Sequence, residues 1–245
     1  MSSLPLVLIP GVQGRWEWML PAVRSLSARR QVLTFSLGDV RGEHIFDRWI
    51  AHIDQMLDRA GARSAILTGV SFGGLVAVRY AAQRPERVRA LILVSAPSPR
   101  IRLDSRTSSY LDRPRLSVPL FALRSVSRLL PEFLVAPDTW RGRITSALGH
   151  LYRVVRFPIS PPRMSQWVRE WQQLDLVSDC RTIAAPTLLV TGEASLDRVV
   201  PVTSTLDYLS LIPGSRHVTL AKTGHIGLVM RPEAFAKIIE DFSCI

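Results

Sequence analysis

Ile66-Leu67-Thr68-Gly69-Val70-Ser71-Phe72-Gly73-Gly74-Leu75-Val76-Ala77 is the stretch whose reading decides the fold. An apolar, strand-forming run enters Gly-x-Ser-x-Gly, and a helix-favouring run leaves it. That strand-turn-helix context is what a nucleophile elbow requires. The turn is so tight that side chains at Gly69 or Gly73 would collide with the neighbouring strand and helix. It lifts the Ser71 hydroxyl above the sheet edge and leaves the Phe72 N–H at a helix N-terminus. A hydroxyl, a free donor and the positive end of a helix dipole are the parts acyl transfer needs.

Working outward, the run 4–9 is continuously apolar, as in a strand buried on both faces. It ends in Pro10-Gly11-Val12-Gln13-Gly14. A helix is expected over 17–28, a second strand over 31–37, and a helix over 43–60 with apolar residues at helical spacing and Gly61 at its C-cap. Beyond the elbow helix, which stops before Pro85, 88–94 reads as a strand. The alternation then lapses from about 96 to 185, where three helices are expected at 119–130, 138–155 and 161–179. It resumes with strands at 186–192 and 216–221 and helices at 201–211 and 232–242. Strands alternating with helices at this spacing predict a mostly parallel sheet, six-stranded here, with helices on both faces. The expected division is a core in two parts, 1–98 and 183–245, and an α-helical cap, 99–182, over the carboxyl edge of the sheet.

The 245 residues suffice for one large domain with an insertion. The formal charge of +11 is carried almost wholly by arginine, the only lysines being Lys222 and Lys237. Those arginines scatter without a basic run or an aromatic-interleaved stripe, so dispersed solvated positions are favoured over a nucleic-acid or anionic-lipid surface. Cys180 and Cys244 offer neither metal spacing nor a disulfide framework. The 4–9 run has no basic residues before it and is far too short to span a membrane. A reduced cytoplasmic setting is expected, with no metal and no cofactor.

A serine hydroxyl needs a base to take its proton, and the base needs an orienting acid. Among the five histidines, His225 in Lys222-Thr223-Gly224-His225-Ile226-Gly227 follows the last expected strand, on the sheet edge where the elbow lies. The acid belongs after the preceding strand, in Gly192-Glu193-Ala194-Ser195-Leu196-Asp197-Arg198-Val199-Val200-Pro201. Asp197 is preferred, having enough chain to turn back toward the histidine loop; Glu193 remains the alternative.

On these residues, and on 67–97 as a whole, the chain resembles the α/β-hydrolase superfamily over nearly all its length. It is similar to small capped bacterial carboxylesterases such as the pimeloyl carrier-protein methyl ester esterases. The resemblance implies an α/β-hydrolase fold, Ser71 as nucleophile, Asp197 as acid and His225 as base. It also implies an oxyanion hole from the backbone N–H groups of Val12 and Phe72. Three departures stand out. Pro10-Gly11 replaces His-Gly, Leu37-Gly38-Asp39-Val40-Arg41-Gly42 replaces Asp-x-x-Gly-x-Gly, and the acid loop carries two extra residues before Asp197.

Trp16, before the first expected helix, and Trp140, Trp167 and Trp171 in the insertion are candidate substrate contacts. In the helix at 161–179, plain packing explains most of the apolar stripe. A small-molecule ester with an apolar acyl or aryl group is the expected substrate. Residues 100–181 hold fourteen arginines against seven acids, which suits an anionic or carrier-protein partner without favouring one. The expected activity is cofactor-independent carboxylic ester hydrolysis through an acyl-enzyme. The alternatives are thioester or carbon–carbon bond hydrolysis or perhydrolase chemistry on the same residues, or a ligand-binding homologue without turnover.

Overall fold

The computed structural model describes residues 4–102, 111–112, 118–136 and 139–243, with backbone only for 118–126. Its sheet has six strands: β1 Leu6–Ile9, β2 Val32–Thr34, β3 Ala65–Val70, β4 Val88–Val94, β5 Thr187–Thr191 and β6 Arg216–Thr219. The order is β2-β1-β3-β4-β5-β6, and every adjacent pair is parallel. Strand order reverses at β1, which has β2 on one side and β3 on the other. The carboxyl ends of β1 and β3 therefore flank the crevice where open α/β sheets place their ligands.

Two apolar cores lie on the two faces of this sheet, and strand alternation sorts residues between them. Val7 and Ile9 of β1 join one core, with Leu67 of β3 and the buried face of α2 (Ile45–Arg59). Leu6 and Leu8 join the other, with Ile66, α1 (Leu20–Ser27), the short α10 (Gly227–Met230) and α11 (Pro232–Ser243). On α2 the six residues Ile45, Phe46, Trp49, Ile50, Ile53 and Leu57 are all buried, as their helical spacing demands. Gly61 follows in a left-handed conformation with φ of +64°.

Between β4 and β5 lie α4 (Val118–Val135), α5 (Trp140–Arg156), α6 (Pro161–Trp171) and α7 (Leu176–Thr182). The helix expected over 161–179 is two helices. The chain turns after Trp171, and Asp175 starts α7 by accepting from the Ser178 N–H at 3.1 Å. An N-cap carboxylate of this kind satisfies a donor that a continuous helix would bond to its own backbone. After the turn α7 packs on α3 (Phe72–Gln83) rather than on α4, α5 or α6. The Arg79 guanidinium there meets both oxygens of Asp179 at 3.0 Å.

Three further elements are shorter or later than expected. The second strand stops at Thr34 because Leu37–Asp39 forms a 3-10 turn. A 3-10 turn at Trp16–Met19 precedes α1. The helix expected over 201–211 is split into α8 (Val202–Leu206) and α9 (Tyr208–Leu211). Cys180 is buried and free, and Cys244 lies outside the described residues. Among the described residues no helix is long and apolar enough to cross a membrane.

Candidate active site

Ser71 stands between β3 and α3 with φ of +51° and ψ of −124°, a conformation L-residues adopt only when the surrounding structure enforces it. The enforcement is steric. A Cβ on Gly73 would lie 2.5 Å from the carbonyl oxygens of both Ile9 and Pro10, and one on Gly74 would lie 2.5 Å from Ala96 Cβ. The first turn of α3 is thus pressed against the end of β1 and the loop beyond β4. The Ser71 N–H donates to Val94 O at 2.8 Å, tying the elbow to β4. A Cβ on Gly11 would lie 3.4 Å from Ser71 Cβ, so the 10–14 loop abuts the serine. Gly14 N–H closes that loop on Gly11 O at 2.8 Å. Val12 sits in this loop and Phe72 is the first residue of α3, whose leading N–H groups have no acceptor within the helix.

Two loops from the carboxyl ends of β5 and β6 meet beside the elbow. They touch through backbone. A Cβ on Gly192 would lie 2.5 Å from the carbonyl oxygens of Thr223 and Gly224, and one on Gly224 would lie 2.6 Å from Leu196 O. Out of this contact comes a buried pair. The Asp197 carboxylate approaches His225 Nδ1 at 3.3 Å through one oxygen and 3.4 Å through the other. Asp197 Oδ1 also accepts from the N–H groups of Val199 and Val200 at 3.1 and 3.0 Å. Burial by itself would raise the Asp197 pKa. The bond to His225, its positive charge when protonated, the Val200 amide and the Ser95 hydroxyl outweigh it and hold the carboxyl below its ordinary range.

Glu193 is placed elsewhere. Its Oε1 accepts from the Lys222 N–H at 2.7 Å, while its backbone carbonyl accepts from Leu196 and Asp197 at 2.9 Å. It braces the base of the histidine loop, and the turn it closes swings Asp197 back over the strand end. Among the described residues no hydrogen bond joins Ser71 to His225; apo enzymes often hold this contact loosely until substrate arrives.

The four tryptophans are not gathered at one place. Trp167 and Trp171 are buried in the core at 4% and 5% exposure. Trp167 packs edge-on to Trp49 at 5.5 Å, and Trp171 packs on Phe72 at 6.2 Å. They stiffen the residue that follows Ser71. Trp16 is half-buried in the 3-10 turn, and Trp140 is 65% exposed on α5. An open groove of about 540 Å³ between Glu43, His44, Pro162 and Arg169 holds none of Ser71, Asp197 or His225.

The sequence reading missed two residues here. Ser95, fully buried just past β4 with φ of +43°, supplies its hydroxyl to Asp197. Glu132 of α4 has no exposed surface. Its Oε2 accepts from Ile226 N–H at 3.1 Å, the Gly224 amide also faces it, and Oε1 has no hydrogen-bond partner among the described residues. The carboxyl thus grips the backbone on both sides of His225. The sequence shows only that Glu132 is the one acid in the run 118–135.

Burial pushes Glu132 up to about 7, against the pull of the two amides and His225 and with the push of Asp197. Its folded pKa lies above its ordinary value of 4.5, so the folded state holds the proton more tightly. The stabilisation is complete below about pH 4.5 and is lost as pH rises through about 7, a change of about 3 kcal/mol. Glu132→Gln cannot ionise. Its stability relative to the parent protein should therefore rise from about pH 4.5 to about pH 8, by up to about 3 kcal/mol. Urea melts at a series of pH values measure this, and a difference that stays flat would exclude it.

The family described as the alpha/beta hydrolase family matches residues 6–238. The chain is 25% identical over 230 residues to a 2-hydroxymuconate semialdehyde hydrolase of Pseudomonas putida, covering 89% of this chain and 78% of the relative. In fold it resembles the enol-lactonase of Burkholderia xenovorans (TM-score 0.74, 19% identity, 100% of this chain and 93% of the other). It also resembles a bromoperoxidase of Bacillus anthracis (TM-score 0.76, 20% identity, 100% and 93%). An all-parallel six-stranded sheet with a strained serine at its switch point, matched over nearly its whole length by that family, places the chain among the α/β-hydrolases.

Proposed function

We propose that the protein is a serine hydrolase that cleaves carboxylic esters with apolar acyl or aryl groups through an acyl-enzyme. The observation that carries the reading is Ser71, held at positive φ on the same sheet edge as the buried His225–Asp197 pair. His225 takes the Ser71 proton as Oγ attacks the carbonyl carbon. Asp197, on Nδ1, fixes the ring so that Nε2 faces the serine and stabilises the imidazolium that forms. The Phe72 and Val12 amides receive the oxyanion of the tetrahedral intermediate. The intermediate collapses, the alcohol leaves with the proton from His225, and water repeats the sequence to free the acid. Residues 99–182 serve as the cap in this reading, with 1–98 and 183–245 as the core; α7 belongs to the cap by chain order but to the core by packing.

A second reading is favoured by the Pseudomonas putida relative. The molecule named there, 2-hydroxymuconate semialdehyde, contains no ester, so its hydrolysis must break a carbon–carbon bond. The same residues would serve, with a carbon leaving group that has to be protonated. Labelling by a fluorophosphonate tests what the two readings share: modification at Ser71 is expected, and none sinks both. Rates on an aryl ester and on a vinylogous diketone of matched size separate them. A faster diketone reaction moves the assignment to carbon–carbon cleavage.

A further inference from the structure

The helix α5 is mounted the wrong way round for a soluble protein. Trp140, Ile144, Leu148, Leu151 and Val155 recur at helical spacing and make one apolar stripe. A cap helix ordinarily turns such a stripe inward. Here the five are 65%, 48%, 60%, 57% and 73% exposed, with Tyr152 beside them at 66%, and no residue of the helix is buried. The helix rests on the protein by its other side. His150 meets the rings of Trp18 and Phe133 at 5.8 and 5.7 Å, with Gly142, Ser146 and Gly149 on the same half-covered side.

The charges of the helix supply the other half of the pattern. Between Trp140 and Arg156 there are four arginines and no acid. By helical rotation Arg143 borders the stripe on one flank and Arg141 and Arg156 on the other, and all three are exposed. An apolar row edged by guanidinium groups lets the row enter acyl chains while the arginines meet phosphates at headgroup level. A second copy of the chain fits poorly. A two-fold pairing of this face would set arginine against arginine with no carboxylate on the helix to neutralise them.

We propose that the outer face of α5 docks the protein on an anionic lipid surface, with the Trp140–Val155 row in the interface and the flanking arginines on lipid phosphates. The net charge of +11 adds long-range attraction to the same surface. This docking is independent of the reaction assigned to Ser71, because it uses none of the residues at the elbow.

The test is flotation of the intact protein with phosphatidylcholine vesicles, with or without about 30 mol % phosphatidylglycerol, at low salt and at about 0.5 M salt. Binding to the anionic vesicles, weak binding to phosphatidylcholine alone and a blue shift of tryptophan emission are expected. High salt should weaken the binding by at least about tenfold. The variant carrying Leu148→Glu and Leu151→Glu should lose at least about tenfold in vesicle binding. Both positions face outward, so its circular dichroism and its activity on a water-soluble substrate should match the parent protein. Failure of the parent protein to float with anionic vesicles overturns the proposal, as does undiminished binding of the double variant. A lipid-free dimer that the double variant abolishes, without vesicle binding by the parent, reassigns the face to self-association.

Discussion

Ser71→Ala is expected to lower kcat on an activated aryl ester by about 10⁴- to 10⁶-fold, the range seen when such a nucleophile is removed from an otherwise intact site. The loss should fall on kcat, with little change in KM, because the hydroxyl contributes to bond making and not to holding the substrate. Folding should be unaffected. Alanine inherits the same strained φ as serine, and no hydrogen bond joins the hydroxyl to His225 among the described residues, so no contact to that ring is lost. A residual rate above water remains wherever the Phe72 and Val12 amides still polarise the carbonyl. Steady-state kinetics on the purified variant measure the effect. Turnover within a few-fold of the parent protein would remove Ser71 from the chemistry and both proposed readings with it.

Asp197→Asn is expected to cost up to about 10⁴-fold in kcat. An asparagine can still accept from Val199 and Val200 through its carbonyl oxygen, so the loop should keep its shape. What it cannot do is accept the His225 Nδ1 proton at both oxygens and balance the imidazolium charge. The ring then populates the tautomer that leaves Nε2 unable to take the serine proton. Because the native contacts hold the Asp197 pKa below its ordinary range, the carboxylate is ionised wherever activity would be measured, and the deficit should persist across neutral pH. Glu193→Gln is expected to cost far less. A glutamine carbonyl can replace the carboxylate oxygen that accepts the Lys222 N–H at 2.7 Å, and nothing at His225 changes. Kinetics on the two variants, with their melting curves as a check on folding, decide the matter. A larger loss from Glu193→Gln than from Asp197→Asn would transfer the acid role.

The fold and most of the candidate site were legible because their signals are local. The Gly-x-Ser-x-Gly spacing writes the turn in adjacent letters, and a Cβ on Gly69 would lie 2.4 Å from the Gly73 carbonyl oxygen four residues on, whereas the clash at Gly73 is with Ile9 and Pro10 of a distant strand end. His225 is similarly readable, since a loop after the last strand of a parallel sheet must emerge on the elbow's edge. β1, β3, β4 and β5 follow from apolar runs of the right length between turn residues, and α2 from a period that buries one face. These features need no knowledge of what packs against what.

Tertiary structure decided the rest, wherever a residue's partner is distant in the chain or a pattern is symmetric. Glu193 and Asp197 share one short loop, and only the backbone contact of Gly192 and Gly224 with the opposing loop turns Asp197 to the histidine and Glu193 to Lys222. Glu132 lies 94 residues from Ile226, so no local pattern says where a lone acid in an apolar helix goes. Trp167 and Trp171 offered the same apolar face to a substrate or to a core, and packing on Trp49 and Phe72 put them in the core. In α5 the period shows that an apolar stripe exists but not which way it faces. The seating of His150 between Trp18 and Phe133 turned that stripe outward. Periodicity specifies the angle between residues on one element, whereas the orientation of that element is a property of everything it touches.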